Sequence, residues 1–347
     1  MLGGSLEIPY LFDEMHKPAA KLRAAGAEFL MLKPKVDQIS PIFLDFVQVL
    51  SDKHGLKIFF HPAERDTNGT WFAANDDKHQ EILANSYYPL IQATKDYGFH
   101  PLLVLHLGRL WLGPGETING KDFASPGDVA FKTAKFLQML EAIVGEVYKC
   151  AHENFTFAIE NLPLPGTNKD EGSWGHTAWQ LDAFVKHFGR GYEKGHYAAN
   201  VKVCIDAGHY ELRAKPNRPS AFGGSDISAM QAFFEFFKRQ YAQLIESTQL
   251  QHLFKHTACT HLHGNDGTDD QHELPYKDNV HLPGIRKLLK NKEIIHIVEL
   301  SPDVLDRTSP AELRRVFDSI GRGRLPTRPQ PTKQAVNSCL ANPRKVA

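Results

Sequence analysis

Eight short apolar runs, each followed by residues at helical spacing, constrain this chain more than any other feature. They read Ser5–Ile8, Phe29–Leu32, Lys57–His61, Leu102–His106, Phe157–Glu160, Lys202–Asp206, Ala258–His263 and Ile294–Glu299. Brief continuous apolar segments mark strands buried on both faces, as in a parallel sheet covered by helices. Helical spacing fills residues Pro41–Lys53, His79–Tyr97, Gly127–His152, Ile227–Gln249 and Pro310–Ile320. Ser309, Pro310 and Glu312 supply an N-cap, a first-turn proline and a capping-box acid for the last of these. The segments beginning Ser125-Pro126 and Thr177-Ala178 fit the same scheme less closely. Strict alternation predicts an α/β chain closed into a single-domain (β/α)8 barrel over residues 1–320. An open doubly wound sheet would show a Gly-rich phosphate turn after its first strand, and this sequence has none. Residues 321–347 are rich in Pro and polar side chains without periodicity, so a disordered C-terminal tail is expected there.

At 347 residues the chain is long enough for such a core to hold without disulfides. Its 40 basic and 40 acidic residues cancel, which argues against a partner gripped by a strong positive field, nucleic acid included. Cys150, Cys204, Cys259 and Cys339 show no CxxC or zinc-finger spacing, and two of them lie within strand-like runs. Free buried thiols suit a reducing compartment. No basic stretch followed by an apolar one opens the chain, and no apolar run is long enough for a membrane span. A soluble cytoplasmic protein is the expectation.

The reactive side chains fall at the carboxyl ends of the apolar runs. His61, His106, Glu160 and Asp206 close the third to sixth runs, and His209 follows three residues on. The seventh run ends in His261-Leu262-His263, with Asp270 and His272 in its loop, and Glu299 ends the eighth. In a barrel those ends converge around one mouth. Each residue alone fits a backbone-bonded or capping role, but so many buried ionisable groups together would be costly without a counter-charge. A cation removes that cost, and mixed imidazole and carboxylate ligands suit Zn, Mn, Fe or Co. Side chains alternate across a strand, so of His261 and His263 only one is expected to face the centre as a ligand, and His263, nearer the loop, is favoured. The Asp-x-His spacing likewise favours Asp270 over Asp269.

VLHLG at 104–108, IENLP at 159–163, VCIDAGH at 203–209, HLHGNDGTDDQH at 261–272 and IHIVEL at 295–300 resemble the xylose-isomerase-like TIM barrel superfamily. That superfamily contains sugar isomerases and epimerases as well as endonuclease IV. The resemblance runs from about residue 6 to residue 320. It implies a divalent metal, Mn or Zn first and Co, Fe or Mg next, held by Glu160, Asp206, His263 and Glu299. The endonuclease IV branch would add His61, His106, His209, Asp270 and His272 for a zinc cluster. A Gly-x-Gly that usually follows the loop histidine in the sugar-isomerase relatives is missing here.

Two chemistries compete. In one, Glu160 and Glu299 act as the acid/base pair of an isomerase or epimerase on a sugar, sugar phosphate or polyol, as the resemblance implies. In the other, several ions activate water against a phosphoester, with a metal-dependent lyase or dehydratase as a further alternative. Glu64 and Asp66 would repel a phosphate backbone, which makes a nucleic-acid substrate the weaker reading. Arg109, Trp111, Trp174, His176 and Arg213 lie in long loops at the mouth and are candidate substrate contacts, with helix-end packing the plain alternative for the tryptophans. Relatives of the isomerase type suggest a homodimer or homotetramer.

Overall fold

The computed structural model describes residues 1–8, 11–62, 77–106, 155–161, 181, 185, 200–209, 253–265, 270–280, 282 and 284–329. Its strands are β1 (Leu2–Glu7), β2 (Phe29–Lys33), β3 (Lys57–Phe60), β4 (Leu102–Leu105), β5 (Thr156–Glu160), β6 (Asn200–Asp206), β7 (Thr257–Leu262) and β8 (Ile295–Val298). They pair in sequence order, all parallel, and β1 closes on β8 through Leu2 beside His296. The protein is a closed eight-stranded (β/α)8 barrel.

Period-two alternation sorts the strand side chains into two layers. Phe29, Met31, Phe59, Leu102, Val104, Ala158, Cys204, Cys259, Ile295 and Ile297 form one buried cluster inside the barrel. Their neighbours Leu30, Leu32, Ile58, Phe60, Leu103, Ile159 and Val203 join a larger cluster with the helices outside. Following the inner series to the carboxyl ends leads from Met31 to Lys33, Phe59 to His61, Ala158 to Glu160, Cys204 to Asp206, Cys259 to His261 and Ile297 to Glu299. The barrel thus changes from apolar to ionisable at one rim.

The first strand sits earlier than the expected Ser5–Ile8. Gly3 and Gly4 are not apolar, but a Cβ on Gly3 would meet Phe29 and Ile297, and one on Gly4 would meet Leu22. Close packing, not hydrophobicity, selects those residues. Helices follow α1 (His16–Ala25), α2 (Pro41–His54), α3 (Asp77–Asp96), α4 (Ile285–Lys290), α5 (Pro302–Arg307) and α6 (Pro310–Gly321). In α2 the Phe43 amide donates to Ser40 Oγ at 3.2 Å, and the helix ends on Gly55 at φ +61°. In α6 the Glu312 amide donates to Ser309 Oγ at 3.1 Å, and Leu313, Val316, Phe317 and Ile320 bury its inner face. The expected helices at 127–152 and 227–249 lie outside the described residues.

The expectation of a disordered tail from residue 321 needs correction at its near end. Leu325 is buried, the Lys277 amide donates to the Pro326 carbonyl at 3.0 Å, and Arg328 pairs with Asp278 at 2.9 Å over the Tyr276 ring. Aromatic and ionic contacts hold residues that composition alone marks as unstructured; 330–347 lie outside the described residues. No helix among the described residues is long and apolar enough to cross a membrane.

Candidate metal centre

Four carboxylates and six imidazoles meet where the inner layer reaches the rim. Glu160 Oε2 lies 3.0 Å from His61 Nε2 and 3.3 Å from His106 Nε2, while its Oε1 lies 3.2 Å from His261 Nδ1. Asp206 Oδ1 is 2.9 Å from His263 Nε2, and Oδ2 is 3.5 Å from His209 Nδ1. Asp270 Oδ2 reaches His209 Nε2 at 3.2 Å and His272 Nε2 at 3.0 Å. Glu299 Oε2 lies 2.9 Å from His261 Nδ1, and Oε1 lies 3.3 Å from His272 Nδ1 and pairs with Lys33 Nζ. Every residue expected to bind metal is therefore in one constellation, and His61, Glu160, Asp206, His209, His263 and Glu299 are buried.

His261 joins them, contrary to the expectation that only one histidine of the pair would reach the centre. Residues two apart on a strand share a face, so His261 and His263 point the same way. His261 meets Glu160 and Glu299, and His263 meets Asp206. Lys33 is the other residue the strand-end reading passed over, because an ammonium is no metal ligand; the inner series Phe29, Met31, Lys33 locates it.

The supporting shell is built from backbone and amide groups. Asp206 and Asn161 exchange bonds: the Asp206 amide donates to Asn161 Oδ1 at 2.7 Å, and Asn161 Nδ2 donates to the Asp206 carbonyl at 3.0 Å. The His209 amide donates to Asp206 Oδ1 at 2.8 Å. In the loop after β7, Asn265 Nδ2 donates to the Gly208 carbonyl and accepts from the Gln271 amide, each at 2.9 Å. Gly264 and Glu273 form an antiparallel bridge, which returns the chain to the rim with Asp270 and His272. His272 sits at φ +49°, uncommon for a residue with a side chain, and its ring stacks on His263 with centroids 4.1 Å apart. A Cβ on Gly208 would fall on the His263 ring, so only glycine leaves room there.

In the metal-free chain the carboxylates and imidazoles of this centre shift one another's proton affinity. Burial pushes the Glu160, Asp270 and Glu299 carboxyls up, yet facing imidazoles, with Lys33 at Glu299, outweigh it and hold all three well below the usual range. Asp206 is likewise held down to about 2, burial being outweighed by His209 and His263. Burial pulls His209, His261 and His263 down, but the carboxylates prevail and raise them above 6.5. For His61 burial wins, lowering it to about 4.

The donor set fits a divalent ion. His61 Nδ1 faces the Val104 carbonyl at 3.2 Å and His209 Nδ1 faces the Asn161 carbonyl at 2.8 Å. A carbonyl only accepts, so Nδ1 carries the hydrogen and each Nε2 is turned inward, the orientation that outer partners give metal-ligating histidines. Glu160 Oε2, Asp270 Oδ1, Glu299 Oε2, both His261 ring nitrogens and His263 Nδ1 are buried without a hydrogen-bond partner. Oxygens and nitrogens within ion-pair distance, but misaligned for hydrogen bonds, are converging on a shared point. Four groups of oxygen and nitrogen ligands are close enough to hold an ion: His209 with His263, Asp270 and His272; His61 with Glu160 and His261; Glu160 with Asp206 and His209; and Asp206 with His261 and Glu299.

A family model described as the xylose isomerase-like TIM barrel matches residues 19–315. The chain belongs to this family. Among solved structures, this xylose isomerase-like barrel is similar to a D-tagatose 3-epimerase-like protein at 16% identity and TM-score 0.59, over 92% of this chain and 98% of that one. It is similar to D-allulose 3-epimerase from Methylomonas sp. at 12% identity and TM-score 0.54, over 93% and 94% of the two chains. A family 2 AP endonuclease from Brucella melitensis is similar at 13% identity and TM-score 0.51, over 85% and 91%. None of the curated proteins compared by sequence matches it significantly. Identities this low establish the shared fold. The candidate substrate contacts Arg109, Trp111, Trp174, His176 and Arg213 all lie outside the described residues.

Proposed function

We propose that this chain is a divalent-metal-dependent isomerase or epimerase acting on a sugar, sugar phosphate or polyol. One observation carries the reading: Glu160 Oε1 and Glu299 Oε2 approach the same nitrogen, His261 Nδ1, at 3.2 and 2.9 Å, so two buried carboxylates flank one point at the barrel mouth. The epimerases among the structural neighbours support the substrate class. Both carboxyls are held anionic, so either can take a proton from carbon while the other's partner histidines return one. Lys33 stays a cation despite burial because Glu299 and Glu160 outweigh it, and its ammonium is placed to balance a developing oxyanion. Glu160, Asp206, His263 and Glu299 would hold the ion, which supplies polarisation of the substrate carbonyl. His106 and His272, the more exposed imidazoles, would meet substrate hydroxyls. Manganese or zinc, a small carbohydrate partner and homo-oligomeric assembly belong to the same proposal. The test is exchange of carbon-bound hydrogen with solvent deuterium in a ketose and aldose panel: exchange abolished by Glu160→Gln supports the reading, and its absence with every substrate and metal rejects it.

A second reading, phosphoester hydrolysis, is favoured by ligand number. Ten ligand-type groups exceed the roughly four to six that one transition-metal ion takes. Two or three ions would flank attacking and leaving oxygens. One metal per chain bound at this carboxylate–imidazole centre supports isomerisation; three there, with phosphate monoester release, support hydrolysis.

A further inference from the structure

Beneath the carboxylates the inner faces of β6 and β7 continue as Cys204 and Cys259. They are register partners on adjacent strands, both free and fully buried. One sulfur from each lies with a ring nitrogen of His261 inside a 4.8 Å spread. His261 is 0% exposed, and neither of its ring nitrogens has a hydrogen-bond partner. We propose that Cys204, Cys259 and His261 form a thiolate subsite for a soft divalent cation on the floor of the centre.

Two cysteines kept only to fill volume would not need beside them a buried imidazole whose Nδ1 faces the carboxylates while its Nε2 has no hydrogen-bond partner. An ion about 2.3 Å from each sulfur and about 2.0 Å from nitrogen places its tetrahedral ligands roughly 3.5–3.8 Å apart, inside the observed spread. Sulfur selects zinc-like or softer ions over magnesium or calcium. In the metal-free chain burial, with the neighbouring Cys259 thiol next, pushes Cys204 well above the ordinary thiol range. On binding, two metal–sulfur bonds form and the two S–H protons leave to solvent, so a dication replaces two protons and no electrons move. The ligand spacing is invisible to a search for adjacent cysteines because the two thiols come from neighbouring strands.

The inference shares His261 with the proposed centre but does not depend on which reaction that centre performs. The test loads the full chain with cobalt(II), measures bound cobalt, and records the near-ultraviolet thiolate-to-cobalt charge-transfer band on the same sample. A band that scales with bound cobalt, halves in Cys204→Ala or Cys259→Ala and disappears in the double variant supports the subsite. Cobalt bound by the unaltered chain without the band overturns the thiolate subsite and leaves the carboxylate–imidazole centre standing. No bound cobalt overturns both. The decisive reading is on the unaltered chain, so it does not hang on the variants folding.

Discussion

At Glu160 and Glu299 the same atoms serve charge balance and proposed proton transfer, so the isosteric amides separate the two roles. Glu160→Gln or Glu299→Gln keeps the volume, removes a base and leaves facing imidazoles without their anion. Loss of one general acid/base group costs about 10²–10⁴ in rate. We expect a fall of at least that size in solvent deuterium exchange with the circular dichroism spectrum retained; turnover within a few-fold of the parent would remove these carboxylates from the chemistry. Gly208→Ala probes positioning instead. Its Cβ would occupy the space of the His263 ring, so metal affinity should drop while Glu160, Asp206 and Glu299 are untouched, and a titration giving an unchanged Kd would show that His263 is not a ligand. At this scale the sequence was largely legible, since strand-end histidines and acids announce themselves by type. Lys33 and His261 were missed for separate reasons: the first has the wrong chemistry for a ligand search, and the second was set aside by a one-face argument that applies to adjacent residues, not to residues two apart.

Among the elements, α6 shows how local signals and packing agree. Ser309 accepts from the Glu312 amide, Pro310 occupies the first turn, and four apolar side chains face inward. Ser309→Ala should cost about 1 kcal/mol, as N-cap truncations do, read as a lowered urea midpoint at constant slope. An unchanged midpoint would mean that packing against α1, α4 and β1 fixes this helix without its cap. Runs such as Phe29–Leu32 and Leu102–Leu105 were legible because burial on both faces demands continuous apolar residues. The strand Leu2–Glu7 was only half legible, because Gly3 and Gly4 are chosen for approach distance, which no hydropathy pattern records. The segment 321–329 was not legible at all: a Tyr276 ring and Asp278 far away in sequence hold Arg328, and composition cannot see them.

For the molecule as a whole, the centre couples stability to protons and cations with opposite signs. His209, His261 and His263 have pKa values raised above 6.5 in the metal-free fold. Their stabilising contribution is fully present below the unfolded value and is lost as pH rises through the folded values. The carboxylates are depressed, so their contribution is present above the usual carboxylate range and fades only in acid, for Asp206 near 2. Metal ligation needs neutral imidazoles, so binding expels protons and tightens as pH rises. The two effects reinforce each other: as pH rises above about 6.5 the metal-free chain weakens while the loaded one gains. At free metal roughly a hundredfold above Kd the ion contributes about 2.7 kcal/mol. The difference in Tm between metal-loaded and chelator-treated protein should therefore widen steadily with pH, and loading at pH 7 should release protons measurable as buffer-dependent heat. A gap that stays constant or narrows toward alkaline pH would mean that the imidazoles at the rim are not displaced from their protons by an ion, and the carboxylates would then have histidinium, not metal, as their working counter-charge.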